Sequence, residues 1–129
     1  MTGPLSLLHV DDEDDIREVV SMALELDSAV TLSSAHSGEA ALDLLRGGLR
    51  PDVILLDVMM PRLDGPGTLD QLRRLDGLET TPVIFMTART QGEEVAHYLS
   101  LGSIGVITKP FDPLTLAGQV RDLLRGSRQ

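Results

Sequence analysis

The chain has 129 residues, 42% of them apolar, and no cysteine; this suits one ordinary folded domain and excludes a disulfide framework or a thiolate metal site. Its formal net charge of −9 argues against nonspecific binding to nucleic acid or an anionic membrane, which need basic patches, and fits a cation or a basic partner. No apolar run approaches the ~20 residues that cross a bilayer, and Met1-Thr2-Gly3-Pro4 does not open a secretory signal, so a cytoplasmic location is expected.

Leu5 to Val10, with His9 inside it, is a short apolar run that predicts a buried first strand. Five acids follow, Asp11 to Asp15, and then Ile16, Val19, Val20, Ala23 and Leu24 recur at helical spacing. The acidic first turn of that helix suits its dipole. Ala29 to Ser34 predicts a weaker strand. Ser37-Gly38 opens a second helix with Ala40, Ala41, Leu44 and Leu45 inward, closed at Gly47-Gly48. Pro51 to Asp57 is an apolar strand buried on both faces, with an acid at its tip. Asp64-Gly65-Pro66 starts a third helix, with Leu69, Leu72 and Leu75 inward and Gly77 at its end.

Pro82 to Met86 predicts a fourth strand, ending at Thr87-Ala88. Gly92 to Leu101 predicts a fourth helix with Val95, Ala96 and Leu99 inward. Gly105 to Thr108 is a short fifth strand running into Lys109-Pro110-Phe111. Asp112 and Pro113 are placed as cap and first residue of a last helix with Leu116, Val120, Leu123 and Leu124 buried, and the polar tail Gly126 to Gln129 is expected to fray. Five strand–helix alternations imply an α/β domain with a parallel sheet covered on both faces. There is no internal repeat, low-complexity segment or linker, so residues 1–129 are read as a single domain with a core of about 5–124.

In such a sheet all strand C-termini share one rim, where ligands bind. Asp11 and Asp12, Asp57, Thr87 and Lys109 all fall there. Each has an ordinary explanation alone: a turn former, a solvated acidic run, a hydroxyl bonded to a carbonyl, a lysine lying over the rim. Together, three converging carboxylates call for a cation, and hard oxygen donors favour Mg²⁺. Thr87 and Lys109 would complete a cradle for phosphoryl oxygens. Asp57 would be the nucleophile, already ionised and needing no general base.

Val10-Asp11-Asp12-Glu13, Asp57-Val58-Met59-Met60-Pro61, Leu63-Asp64-Gly65, Thr87-Ala88 and Lys109-Pro110-Phe111, in this order and spacing, are weak signals singly and a strong one together. Over Leu5 to about Leu124 the sequence resembles the receiver domain of bacterial two-component response regulators. The resemblance implies a flavodoxin-like, doubly wound sheet of five parallel strands in the order 2-1-3-4-5. It implies that Asp57 is the phosphoacceptor in signal transduction by a phosphorelay, with Thr87 as switch hydroxyl and Lys109 as phosphoryl partner. It implies Mg²⁺, with Mn²⁺ as a substitute, held by Asp12 directly, Asp11 through water, Asp57, and the backbone carbonyl of Met59. The phosphoryl donor would be a histidine kinase or histidine phosphotransfer protein. The output would be read from the fourth helix, fifth strand and fifth helix, with no direct nucleic-acid or membrane contact. The Lys109–Pro110 peptide bond is expected to be cis. With no effector segment, a stand-alone receiver or a receiver piece of a larger kinase is expected.

One departure is Val106, where the family usually carries Tyr or Phe; it lacks a comparable rotamer swing, and the neighbouring Gly105 is read as loosening the strand. The response is therefore expected to pass through the fourth helix, with Tyr98 or His97 as the changed surface. His9 is read as a core histidine with a satisfied ring, and His36 and His97 as a loop and an exposed residue. Three other functions fit the sequence less well. A phosphatase with an Asp nucleophile needs a second Asp where Met59 stands. A flavin or nucleotide site needs Gly, Ser or Thr donors where the acids stand. A receiver that only docks would not need all five site residues.

Overall fold

All of β3 (Val53–Asp57) and β4 (Val83–Thr87) is buried, as strands covered on both faces must be. The computed structural model describes residues 3–127. The remaining elements are β1 (Leu5–Val10), α1 (Asp14–Glu25), β2 (Val30–Ala35), α2 (Gly38–Arg46), α3 (Gly65–Leu72), α4 (Gly92–Ser100), β5 (Gly105–Thr108) and α5 (Leu116–Ser127). The strands form one parallel sheet in the order β2-β1-β3-β4-β5, the order that the family resemblance implies. None of the helices among the described residues is long and apolar enough to cross a membrane.

The two-residue period of a strand divides the core in two. Leu8, Val10, Ile54, Leu56 and Phe85 face one way and meet Leu42, Leu45, Leu69, Leu72 and Tyr98 from α2, α3 and α4. Leu7, Leu55, Ile84, Met86 and Ile107 face the other way and meet Val20, Leu24, Leu116 and Val120 from α1 and α5. Two helix starts are fixed by side-chain caps. The Ser37 hydroxyl accepts from the Ala40 N–H at 3.0 Å, and the Asp64 carboxylate accepts from the Gly67 N–H at 2.8 Å.

Several local expectations need correction. α5 begins at Leu116, not at Pro113. Asp112 instead forms a turn of its own: its carboxylate accepts from the Leu114 N–H at 2.9 Å, and its carbonyl from the Thr115 N–H at 3.1 Å. α5 then continues through Gly126 to Ser127 rather than fraying there; Arg128 and Gln129 lie outside the described residues. On α4, Ala96 is exposed and Leu99 is 45% exposed, while Tyr98 is buried. The Tyr98 ring reaches Phe85 on β4, with centroids 5.3 Å apart, and that contact sets which face of α4 turns inward. Tyr98 is therefore no surface feature, though His97 is exposed. On α1 and α2, Val20, Ala23, Leu24, Ala41 and Leu45 are buried as expected, with local exceptions. Val19 and Leu44 are exposed, and Leu42 is buried.

Gly105 is buried and gives room to α5, since a Cβ there would come 2.6 Å from the Leu123 side chain. The close atoms are the terminal methyls of Leu123, so the glycine lets that side chain lie against β5. Gly65 has a stricter role at the start of α3. A Cβ there would lie 2.5 Å from the carbonyl oxygen of Asp57 and 2.9 Å from Cα of Val58, both backbone atoms that have no freedom to move aside.

Gly65→Ala should therefore destabilise the protein by about 1–3 kcal/mol in urea unfolding. Gly118→Ala is the control, because nothing lies within 4 Å of a Cβ at that position inside α5. It should stabilise by about 0.5–1 kcal/mol. Equal effects of the two substitutions would contradict this packing.

Candidate functional site

β1 and β3 are neighbours, with Val10 opposite Leu56, so Asp11 and Asp57 leave the sheet side by side. Asp11 and Asp57 are buried and Asp12 is exposed. One carboxylate oxygen from each of the three lies within 4.8 Å of the others. At the other side of the rim, the Lys109 N–H donates to the Thr87 carbonyl at 2.9 Å, which carries the β4–β5 pairing one step past Thr108. The Lys109 ammonium then spans the rim. Its Nζ lies 2.8 Å from Asp11 Oδ2 and 2.8 Å from Asp57 Oδ1. Asp11 Oδ1 accepts from the Glu13 N–H at 2.9 Å. Among the described residues no basic side chain pairs with Asp12.

Thr87 is buried and its hydroxyl oxygen accepts from the Arg89 N–H at 3.0 Å, leaving the hydroxyl proton available to donate. No hydrogen bond joins its side chain to Asp57 or Lys109 among the described residues. Met59 lies in the loop after β3 with its side chain turned out, 70% exposed, while Met60 is buried. The peptide bond between Lys109 and Pro110 is cis.

Burial pushes the Asp57 carboxyl up to about 6. The hydrogen bond from Lys109 pulls against that rise, and the charges of Asp11 and Asp12 add to it. For Lys109 burial works downward, but the hydrogen bonds and charges of Asp11 and Asp57 outweigh it and hold the ammonium above its ordinary value. Three carboxylates face one ammonium, so the fully ionised rim has excess negative charge. The donors are all oxygen and hard, which fits a divalent ion of the Mg²⁺ type.

Two residues of the site were missed or misread from sequence. Arg17, on the first turns of α1, donates from Nη1 to the Asp11 carbonyl at 2.6 Å and pairs through Nη2 with Asp14. Its one sequence signal is that it is the single base in an otherwise acidic stretch from Asp11 to Glu18. His9 was expected to have a satisfied ring. It is fully buried, and neither ring nitrogen has a hydrogen-bond partner. Burial drives it down to about 4, so the ring is neutral near pH 7.

An acidic cluster at the C-terminal rim of a 2-1-3-4-5 parallel sheet, closed by a strand-end lysine, defines a class of phosphoryl-handling signalling modules on the flavodoxin-like fold. The chain matches the response regulator receiver domain over residues 7–121, and it belongs to that family. It is 38% identical over 125 residues to the transcriptional regulatory protein CseB of Streptomyces coelicolor, covering 97% of this chain and 51% of that protein. It is likewise 38% identical over 121 residues to the transcriptional regulatory protein CpxR of Escherichia coli, covering 94% of this chain and 50% of that one. The chain thus spans about half the length of the curated relatives it matches. Among solved structures, the chemotaxis response regulator CheY4 of Vibrio cholerae superposes with a TM-score of 0.84 at 31% identity, covering 93% of this chain and 98% of that one. Members of the family act as phosphoacceptor switches rather than conventional enzymes. They interact with histidine kinases or phosphotransfer proteins and with output domains.

The raised Asp57 carboxyl has a consequence for stability without divalent metal. The folded state holds that proton up to about pH 6, while an unfolded aspartate releases it near pH 3.9. The resulting stabilisation is present below the lower value and is lost as pH rises through the upper one. His9 acts in the opposite sense, since its folded value lies near 4 and its stabilisation is lost as pH falls from its unfolded value toward that point. Asp57→Asn separates the two. In EDTA, the variant should be more stable than the parent at pH 7.5, by on the order of 1–3 kcal/mol. The difference should shrink toward pH 4. A gap that does not change with pH in denaturant titrations would contradict the assignment.

Proposed function

We propose that Asp57 is the phosphoacceptor of this receiver domain. The observation that carries this is the Lys109 ammonium, 2.8 Å from both Asp11 and Asp57 at the sheet rim. It places a fixed positive charge where a phosphoryl group on Asp57 would develop negative charge. Asp57 Oδ attacks phosphorus in line, the bond from phosphorus to the donor's histidine nitrogen or acetyl oxygen breaks, and the leaving group departs with the bonding electrons. The nucleophile needs no base when ionised, and ionisation is favoured once a cation offsets its neighbours. Asp12 and Asp57, with the Met59 backbone carbonyl and Asp11 through water, would hold Mg²⁺ or Mn²⁺. When bound, the ion supplies charge neutralisation on the phosphoryl oxygens. Lys109 would pair with one of those oxygens, and Thr87 would turn its free hydroxyl proton toward another. Hydrolysis of the aspartyl phosphate at the same site would return the protein to its starting state, so the only turnover is self-phosphorylation from a donor and self-dephosphorylation.

The donor on this reading is a histidine kinase or histidine phosphotransfer protein in the cytoplasm, and residues 1–129 act as one receiver unit with no direct contact to nucleic acid or membrane. The output passes through α4, β5 and α5. Val106 lies opposite Phe85 and has no ring to turn. Phe85 and Thr87 share a face of β4, two residues apart, and Phe85 touches Tyr98 of α4. That contact supports a route from Thr87 into α4, with exposed His97, Ala96 and Leu99 as the surface that changes.

Acetyl phosphate with Mg²⁺ should add one phosphoryl group, read as a mass increase of the intact protein and mapped to Asp57. EDTA or Asp57→Asn should abolish it. Thr87→Ala should still accept the group while losing the amide shift changes in α4. Label that survives Asp57→Asn would sink the proposal.

A further inference from the structure

The face of β1 that carries Leu7 looks onto an apolar core built from α1 and α5, and His9 is the next residue on that face. An apolar side chain there would leave nothing unpaired. The imidazole instead leaves both nitrogens without partners, which buried polar groups seldom tolerate without a reason. Its Nε2 lies 4.0 Å from Asp11 Oδ2, about 1 Å beyond an ordinary hydrogen bond. That oxygen is now held by Lys109 at 2.8 Å, and Oδ1 of the same carboxylate is occupied by the Glu13 N–H.

The Lys109 ammonium is shared between Asp11 and Asp57. A phosphoryl group on Asp57 adds negative charge and strong acceptor oxygens beside it, and the ammonium is drawn toward them. Asp11 Oδ2 then loses part of its donor, while a ring N–H lacking an acceptor stands next to it. We propose that His9, as the neutral Nε2–H tautomer, is a positioning residue that donates to Asp11 Oδ2 when Lys109 turns to the phosphoryl group on Asp57. The closing of that gap holds the Asp11 carboxylate in place beneath the site and carries the change into the core between β1, α1 and α5. This rests on the reading of Asp57 as phosphoacceptor. It requires no change in the protonation of the ring.

The test uses the ¹⁵N-labelled full chain, with Mg²⁺ and beryllofluoride as the phosphoryl mimic. Long-range ¹H–¹⁵N spectra should show His9 as the Nε2–H tautomer before and after the addition. Its Nε2 proton should move downfield and exchange more slowly with solvent once the mimic binds, while the ring of His36 stays unchanged. His9→Leu should weaken beryllofluoride binding about tenfold, the loss of one hydrogen bond to a charged group. His9→Gln, whose amide nitrogen has a similar reach, should restore most of it. The spectra of the unmutated protein decide the matter even if His9→Leu folds poorly. An Nδ1–H tautomer, an Nε2 proton that does not move, or His9→Leu binding as tightly as the parent overturns the proposal. Amides beside Asp57 and Thr87 that ignore the mimic would overturn the phosphoacceptor reading as well. Those amides moving while His9 stays still would overturn this inference alone.

Discussion

The position of one ammonium group organises this protein. Lys109 follows an edge strand, yet its Nζ rests 2.8 Å from carboxylates on the residue after β1 and on the last residue of β3. That span requires β4 between them in register, the pairing of the Lys109 N–H with the Thr87 carbonyl, and α5 packed closely enough to keep β5 in place. Gly105 serves the last of these by leaving room for Leu123. Gly65 serves the opposite side by letting the chain fold back over the Asp57 carbonyl. Two glycines far apart in sequence thus act on the same constellation.

The same interaction sets the charge balance of the site. Burial works against charge on Asp57 and on Lys109 alike; Lys109 favours the Asp57 carboxylate while Asp11 opposes it, and Asp11 and Asp57 together favour the Lys109 ammonium. One cation faces three carboxylates, a group of oxygen donors that could hold a metal ion. A phosphoryl group would redistribute those contacts, because its oxygens compete with Asp11 for the one lysine. A switch requires two arrangements whose energies a ligand can reorder, and the shared ammonium beside an unpartnered imidazole is one of them.

Much of this could be read from the sequence because it depends on strand ends. Apolar runs bounded by turn residues located all five strands, and the acids, the threonine and the lysine each fell at the C-terminus of one. What escaped was set by packing. Asp112-Pro113 is as good a turn as a helix start, and only the hydrogen bonds from Leu114 and Thr115 decide between them. Helical spacing alone allowed Leu99 inward; the reach of the Tyr98 ring to Phe85 turned α4 the other way. Arg17 donates to the Asp11 carbonyl and the His9 ring lies 4.0 Å from the Asp11 carboxylate, through distances that no spacing encodes.

The most direct measurement of the central claim is a calorimetric titration of Mg²⁺ into the parent protein and into Asp12→Ala at neutral pH. The account requires saturable binding of one ion per chain in the parent, strongly weakened in the variant, because Asp12 is the exposed carboxylate of the cluster and has no basic partner among the described residues. Binding that is absent from the parent, or the same in both proteins, would contradict it.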